Sequence, residues 1–267
     1  MPLLAVHGGP GGTSCAFTGL APLATGRKII VYDQLGGGRS GRPIDRKLWT
    51  LERFVEELDA VRKQLGLKRV HLLGHSWGGA LVAAYALAKG TEGIESLILA
   101  SPLLSTKDWI RDADELRKQL PRKIQETLRK HEAAGTTDSP EYRQAEAEFT
   151  RRFVHRNPAA GPSPECAGSV GNSLIYEQMW GPSEFHATGW LRSFDVTGRL
   201  SELRLPVLII VGEFDEARPQ TAARYQKLIP GARLEVIAGS AHALLSDEPI
   251  RSLEALRSFL ASSERKQ

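Results

Sequence analysis

Ser76, Asp215 and His242 occur in that order along the chain, each just beyond a run of branched apolar residues. A serine hydroxyl is a weak nucleophile at neutral pH, so it attacks a carbonyl only with a base beside it and an acid orienting that base. Gly74-His75-Ser76-Trp77-Gly78 follows "RVHLL" and precedes the alanine-rich "GALVAAYALA". This is the G-x-S-x-G of a nucleophile elbow, in which small neighbours let the chain turn sharply from strand to helix and lift the serine out of the sheet. The helix after it points its N-terminus at the serine, and that end favours developing negative charge. A glycine turn with a chance serine is the plain alternative, and the strand before and the helix after favour the elbow.

Asp215 lies in "GEFDEARP", directly after "PVLIIV", where an acid reaches the C-terminal edge of a sheet. Its neighbours Glu213 and Glu216 are other candidates for the same role, and an Asx turn or helix cap is the structural reading of Asp215. His242 lies in "AGSAHALLSDEP", the corresponding loop after "RLEVI". Of the seven histidines, His7 and His75 fall in glycine-rich turns and His71 within a strand, where structural roles are expected. The loop "HGGPGG" (7–12) follows "LLAV" and offers bare backbone N–H groups. An oxyanion hole is therefore assigned to the N–H of Trp77 and that of Gly8 or Gly9. A tight turn would explain the same glycines. A phosphate loop is disfavoured, because neither G-x-G-x-x-G nor a trailing Lys-Ser/Thr is present.

The elements that must position these groups show in the alternation of short apolar runs with helical periodicity. "LLAV" (3–6), "KIIVY" (28–32), "RVHLL" (69–73), "SLILA" (96–100), "PVLIIV" (206–211) and "RLEVI" (233–237) predict an α/β protein whose mostly parallel sheet carries helices on both faces. A helix is expected over 51–65, with Thr50 as its cap, Trp49 and Phe54 as a hydrophobic staple, and Gly66 after its end. From about Leu104 to Trp190 strands give way to charged, helical spacing through Trp109, Ala113, Leu116, Leu120, Ile124 and Leu128, which predicts a helical insertion. Pro121 is expected to start its second helix, and 133–140 and 159–168 to be loops.

Composition sets the outer bounds. A chain of 267 residues, 41% hydrophobic, can bury a full core and fits one domain with an insertion. Its 35 basic and 31 acidic residues are dispersed, without the basic tract a nucleic-acid partner would need. No apolar run approaches the roughly 18 residues of a membrane span, and the N-terminus lacks the pattern of a signal peptide. Cys15 and Cys166 show neither CxxC nor metal-ligand spacing, so both are expected to be free thiols in a reducing, cytoplasmic setting. No cofactor motif is present.

Taken together, "HGGPGG", "YDQLGGGRS" (32–40), "GHSWGG" (74–79), "GPSEF" (181–185), "VGEFDE" (211–216) and the late His242 resemble the proline iminopeptidases of the α/β-hydrolase superfamily, particularly the tricorn-interacting aminopeptidase branch. The resemblance runs from about residue 3 to 260; "GHSWGG" is shared by many hydrolases, whereas "HGGPGG" with "YDQLGxGxS" is more specific. It implies an α/β-hydrolase core over 1–104 and 195–267, a helical cap over 105–194, and a metal-free serine exopeptidase. Such an enzyme would release an N-terminal proline or another small or apolar residue from a short peptide or amino-acid amide. By motif, the acidic residues that hold the substrate amine would be Glu184 of "GPSEF" and Glu216 of "FDE". The physics agrees: a buried ammonium needs carboxylates to offset its desolvation. The structural alternative is that Glu184 caps or bridges a cap helix and Glu216 is solvated beside the triad. Trp180, Phe185, Trp190 and Phe194 are expected either to line the acyl pocket or to pack the cap.

Relatives usually carry an antiparallel pair of strands ahead of the oxyanion loop, whereas six residues precede His7 here. A truncated chain is expected, with "KIIVY" as an exposed edge that invites pairing with another chain. Two other readings stay open: an amidase or esterase on amino-acid amides or small esters, and a non-catalytic binding protein on a hydrolase fold. Epoxide hydrolase and dehalogenase chemistry is disfavoured, since those enzymes place an aspartate where Ser76 stands.

Overall fold

The computed structural model describes residues 1–157 and 164–264. Its strands and helices follow in chain order: β1 (Leu3–Val6), β2 (Ile29–Val31), α1 (Leu51–Gln64), β3 (Val70–His75), α2 (Trp77–Lys89), β4 (Ile94–Ala100), α3 (Thr106–Arg117), α4 (Arg122–Ala134), α5 (Pro140–Phe153), α6 (Ser173–Met179), β5 (Val207–Gly212), α7 (Pro219–Leu228), β6 (Arg233–Ile237), α8 (Leu244–Asp247) and α9 (Pro249–Glu264). The strands form one sheet in the order β2-β1-β3-β4-β5-β6, and every neighbouring pair is parallel.

The period-2 alternation of each strand divides the core into two layers. Leu4, Val6, Leu72, Leu97, Leu99, Ile209 and Val211 face the side covered by α1 and α2. Leu3, Ala5, Leu73, Ile98, Leu208 and Ile210 face Phe17 and Leu20 of a 3-10 segment, Ser14–Ala24, and Leu256 and Phe259 of α9. α1 begins as the sequence predicts: Thr50 Oγ1 accepts from the N–H of Arg53 at 3.3 Å, and Trp49 and Phe54 are both buried. Gly66 has a φ of +62° just past its end, a conformation glycine adopts without steric cost.

Between β4 and β5 the described residues contain helices and no sheet strand. They have their own core, in which Phe149 and Phe185 pack at 4.9 Å beside Tyr142, Leu116 and Leu128. Pro121 stands at the N-cap of α4. The expected loop at 133–140 is shorter, since α4 runs to Ala134 and α5 opens at Pro140 behind the Ser139 cap. The loop expected at 159–168 falls partly outside the described residues, and Pro164–Cys166 forms a 3-10 turn. β2 stands at the edge of the sheet, with Val31 exposed. Among the described residues, no helix is long and apolar enough to cross a membrane.

The expectation for the cysteines is overturned. Cys15 and Cys166, separated by 151 positions, form a disulfide with Cα atoms 5.8 Å apart. The segment around Cys166 folds back across the glycine loops of the core. The Asn172 N–H donates to Gly11 O at 2.8 Å, Asn172 Nδ2 to Gly36 O at 3.0 Å, and the Gly38 N–H to Val170 O at 3.1 Å. This return brings together two thiols that sequence spacing leaves apart. It also removes the cysteine argument for a reducing compartment.

Candidate active site

Ser76 sits between β3 and α2 with φ 57° and ψ −120°, one of two non-glycine residues with positive φ among those described. Such a conformation costs on the order of 1–3 kcal/mol and persists only where its surroundings impose it. Here they do. Ser76 N–H donates to Ala100 O at 2.9 Å, and Ser76 O accepts from the N–H groups of Gly79, Ala80 and Leu103. Gly74 and Gly78 make the turn possible: a Cβ on Gly74 would stand 2.1 Å from Gly78 O, and one on Gly78 would stand 1.9 Å from Val6 O.

That contact seats the start of α2 against the end of β1, and so against "HGGPGG". A Cβ on Gly8 would lie 3.0 Å from Ser76 Cβ, which puts Gly8 beside the serine, while Gly9 has a φ of +118°. Trp77 is the first residue of α2, where an N–H lacks an intrahelical partner. Gln34 binds the two halves: its side chain accepts from Trp77 Nε1 at 2.9 Å and donates to His7 O at 2.8 Å, and its N–H donates to His7 Nε2 at 3.0 Å. With Nε2 accepting, the His7 Nδ1–H donates to Gly8 O at 2.8 Å. Burial holds His7 below the usual histidine range, consistent with this neutral tautomer. The histidines assigned structural roles from sequence have them: His71 bonds Ser96 Oγ at 2.7 Å and Glu264 at 3.2 Å.

Asp215, fully buried, is fixed on both oxygens. Oδ2 accepts from Ser101 Oγ and from the Gly212 N–H at 3.1 Å; Oδ1 accepts from the Ala217 N–H at 2.8 Å and from His242 Nδ1 at 2.9 Å. The imidazole is held on other sides as well. His75 lies against it with ring centroids 4.6 Å apart and donates from Nε2 to His242 O at 3.0 Å, and Trp109 of α3 meets it edge-on at 5.6 Å. Among the described residues, no hydrogen bond joins Ser76 Oγ to the imidazole; such bonds often close only with substrate. Burial lowers the His242 pKa, but Asp215, Glu184 and Asp247 outweigh it, so the net shift is upward. His75, pushed down to about 3 by burial and by His242, stays neutral beside it.

Glu216 is fully buried, and among the described residues neither of its carboxyl oxygens has a hydrogen-bond partner. Glu213, the other alternative, instead accepts from the Gly239 N–H at 2.9 Å. Burial first, then Glu184, Asp215 and Glu146, push the Glu216 carboxyl well up. Glu184 is partly exposed at the surface but enclosed by protein around its carboxyl; burial raises it against the opposing pull of His242, and its own carbonyl accepts from Trp109 Nε1 at 3.0 Å. Tyr176 of α6 faces this carboxyl without closing a hydrogen bond of standard geometry. Glu146 of α5, pushed up to about 7 by burial and Glu184, adds a third carboxyl. Three acids in electrostatic contact cannot all ionise cheaply, and a cation placed among them relieves that cost.

The expected aromatic lining divides. Phe185 packs in the core of the insertion and Trp190 is exposed, whereas Trp180 is buried 6.0 Å from Trp109, the ring that meets His242. Glu146, Tyr176, Trp109, Ser101 and Gln34 are additions to the residues picked out from sequence.

A family model described as alpha/beta hydrolase fold matches residues 1–249, which gives the class. The proline iminopeptidase of Heyndrickxia coagulans is 44% identical over 98% of this chain and 91% of its own length; that of Lactobacillus delbrueckii subsp. bulgaricus is 39% identical over 98% and 90%. The crystal structure of proline iminopeptidase from Mycobacterium smegmatis superposes with a TM-score of 0.88 at 38% identity, covering 100% of this chain and 91% of that one. The crystal structure of VinJ gives 0.90 at 35%, covering 98% and 90%. The chain belongs to the proline iminopeptidase family.

Proposed function

We propose that this protein is a serine aminopeptidase that releases an N-terminal proline, or another small or apolar residue, from short peptides or amino-acid amides. Ser76 Oγ attacks the first carbonyl as His242 Nε2 takes its proton; Asp215, on Nδ1, fixes the tautomer and steadies the imidazolium. The N–H groups of Trp77 and of Gly8 or Gly9 receive the oxyanion. The imidazolium returns the proton to the departing amine, leaving an aminoacyl ester on Ser76. Water, deprotonated by the same imidazole, then hydrolyses that ester. Residues 105–194 act as a cap over the core formed by 1–104 and 195–267.

The observation that carries this reading is the buried, unpartnered Glu216 carboxyl, 3.8 Å from His242 and in electrostatic contact with Glu184. An endopeptidase or simple esterase has no use for such a group, whereas a substrate ammonium anchored there sets a fixed distance to the scissile carbonyl. Family membership supports the same activity. The test compares a prolyl arylamide, its N-acetylated analogue and a neutral acyl ester. Cleavage of the first and not the second, with Glu184→Gln and Glu216→Gln impairing the arylamide far more than the ester, is the expected pattern. Equal losses on both substrate types would remove the anchoring role and favour a broader amidase or esterase. Failure of a fluorophosphonate to label Ser76 would favour a non-catalytic binding protein. A cytoplasmic setting is part of the proposal; alkylating cells before lysis shows whether Cys15 and Cys166 are joined there.

A further inference from the structure

Asp247 closes α8 and is 5% exposed, yet among the described residues its carboxylate touches no side-chain cation. It is occupied by main chain from two distant segments. Oδ1 accepts from the N–H groups of Arg156 and Asn157, just beyond the end of α5, at 3.0 and 2.8 Å. Oδ2 accepts from the N–H of Ala241, the residue before His242, at 2.8 Å. Neutral bonds run beside these: Phe153 O accepts from both the His242 and the Glu216 N–H, at 3.3 and 3.2 Å, and Val154 O accepts from the Ala243 N–H at 2.9 Å.

We propose that Asp247 is a positioning residue that fixes the imidazole of His242 by tying the loop 241–243 to the end of α5. This rests on the assignment of His242 as the base. An imidazole that must face Asp215 through Nδ1 and a serine through Nε2 tolerates little rotation of its main chain, and that main chain is held by Phe153 and Val154 of the insertion as well as by Asp247 and His75 of the core. The Phe153 and Val154 bonds are amide to carbonyl, whereas those to Asp247 are charge-assisted and stronger. Losing the carboxylate would strand three N–H groups, and the loop would turn to satisfy them elsewhere. α5 also carries Glu146, so the same tie couples the third acid of the amine pocket to the base. The ionisable groups facing His242 are Asp215 and Glu216 after β5, Glu184 of the insertion, His75 of the elbow, His155 after α5, and Asp247 itself.

The test is Asp247→Asn, which keeps the shape, loses the charge, and sets an amide NH2 against the N–H of Ala241. In the full chain, kcat should fall roughly tenfold to a hundredfold, the worth of a hydrogen bond to a charged group. The fall should be alike on the prolyl arylamide and the neutral ester, with parallel slowing of fluorophosphonate labelling and little change in KM. The acid limb of kcat/KM should also move to lower pH, since one negative charge that favours the imidazolium is gone. A lowered Tm with unchanged kcat and pH profile would overturn the proposal. Should Asp247→Asn not fold, Asp247→Glu keeps the charge but misplaces it by one methylene, and wild-type kcat there would equally overturn it. Ester turnover and labelling read Ser76 and His242 whatever the amine specificity, so a wild type inactive on the arylamide counts against the proposed substrate and leaves this inference standing.

Discussion

Glu216 Oε1 stands 3.8 Å from His242 Nδ1, while Asp215 Oδ1, one position earlier in the chain, reaches the same nitrogen at 2.9 Å. Adjacent carboxylates thus meet one imidazole at different ranges, and only the nearer forms a hydrogen bond. Asp215→Asn should lower kcat on every substrate by about 10⁴-fold, the loss expected when the tautomer is no longer held. Glu216→Gln should leave ester turnover within a fewfold of wild type. Steady-state kinetics of both variants on the ester separate the two carboxyls, and equal losses would make Glu216 part of the proton relay.

With His242 as the proposed base, the acid limb of activity should lie above the ordinary histidine value of 6.5, because a base works as neutral imidazole and the His242 pKa is raised. Glu184→Gln removes one of the charges that raise it, so the limb measured with the ester should move to lower pH. Burial and Glu184 push Glu146 up to about 7, and its protonation removes negative charge from beside Glu184, the proposed anchor of the substrate amine. KM for the prolyl arylamide should therefore rise as pH falls through 7, KM for the ester should not, and Glu146→Gln should flatten the difference. A pH-independent arylamide KM in the wild type would exclude Glu146 from substrate binding.

Glycine substitutions should divide sharply. A Cβ on Gly78 would meet Val6 O at 1.9 Å and His7 O at 2.8 Å, backbone atoms that cannot yield without parting α2 from β1. Gly78→Ala should cost more than about 2 kcal/mol and most of the activity. Gly41→Ala, with open space around its Cβ and no positive φ, should be neutral in thermal unfolding and in turnover.

What the sequence made legible was local. The turn at Ser76 needs small residues within two positions of it, so its constraint is written in five letters, and the strands ahead of Asp215 and His242 mark their loops in the same way. What stayed hidden is made by chain return. Trp109 reads as one apolar position in a helix, and only the fold sets it against His242; Gln34 is a lone amide until α2 and His7 arrive on either side of it. Glu146 and Asp247 sit in charged stretches where most acids are solvated, and no local pattern separates them from Glu141 or Glu248. The cysteine pair failed for the same reason, since the number of residues between two thiols says nothing about whether a strap returns one to the other.

That strap makes the molecule topologically lopsided. The bond between Cys15 and Cys166 encloses Ser76 and α1 to α5 in a covalent ring, while Asp215 and His242 lie on the open tail. A single protease nick between α4 and α5 would leave both fragments joined and migrating as one band until a thiol is added. A nick beyond Cys166 would release the tail at once and carry away Asp215 and His242.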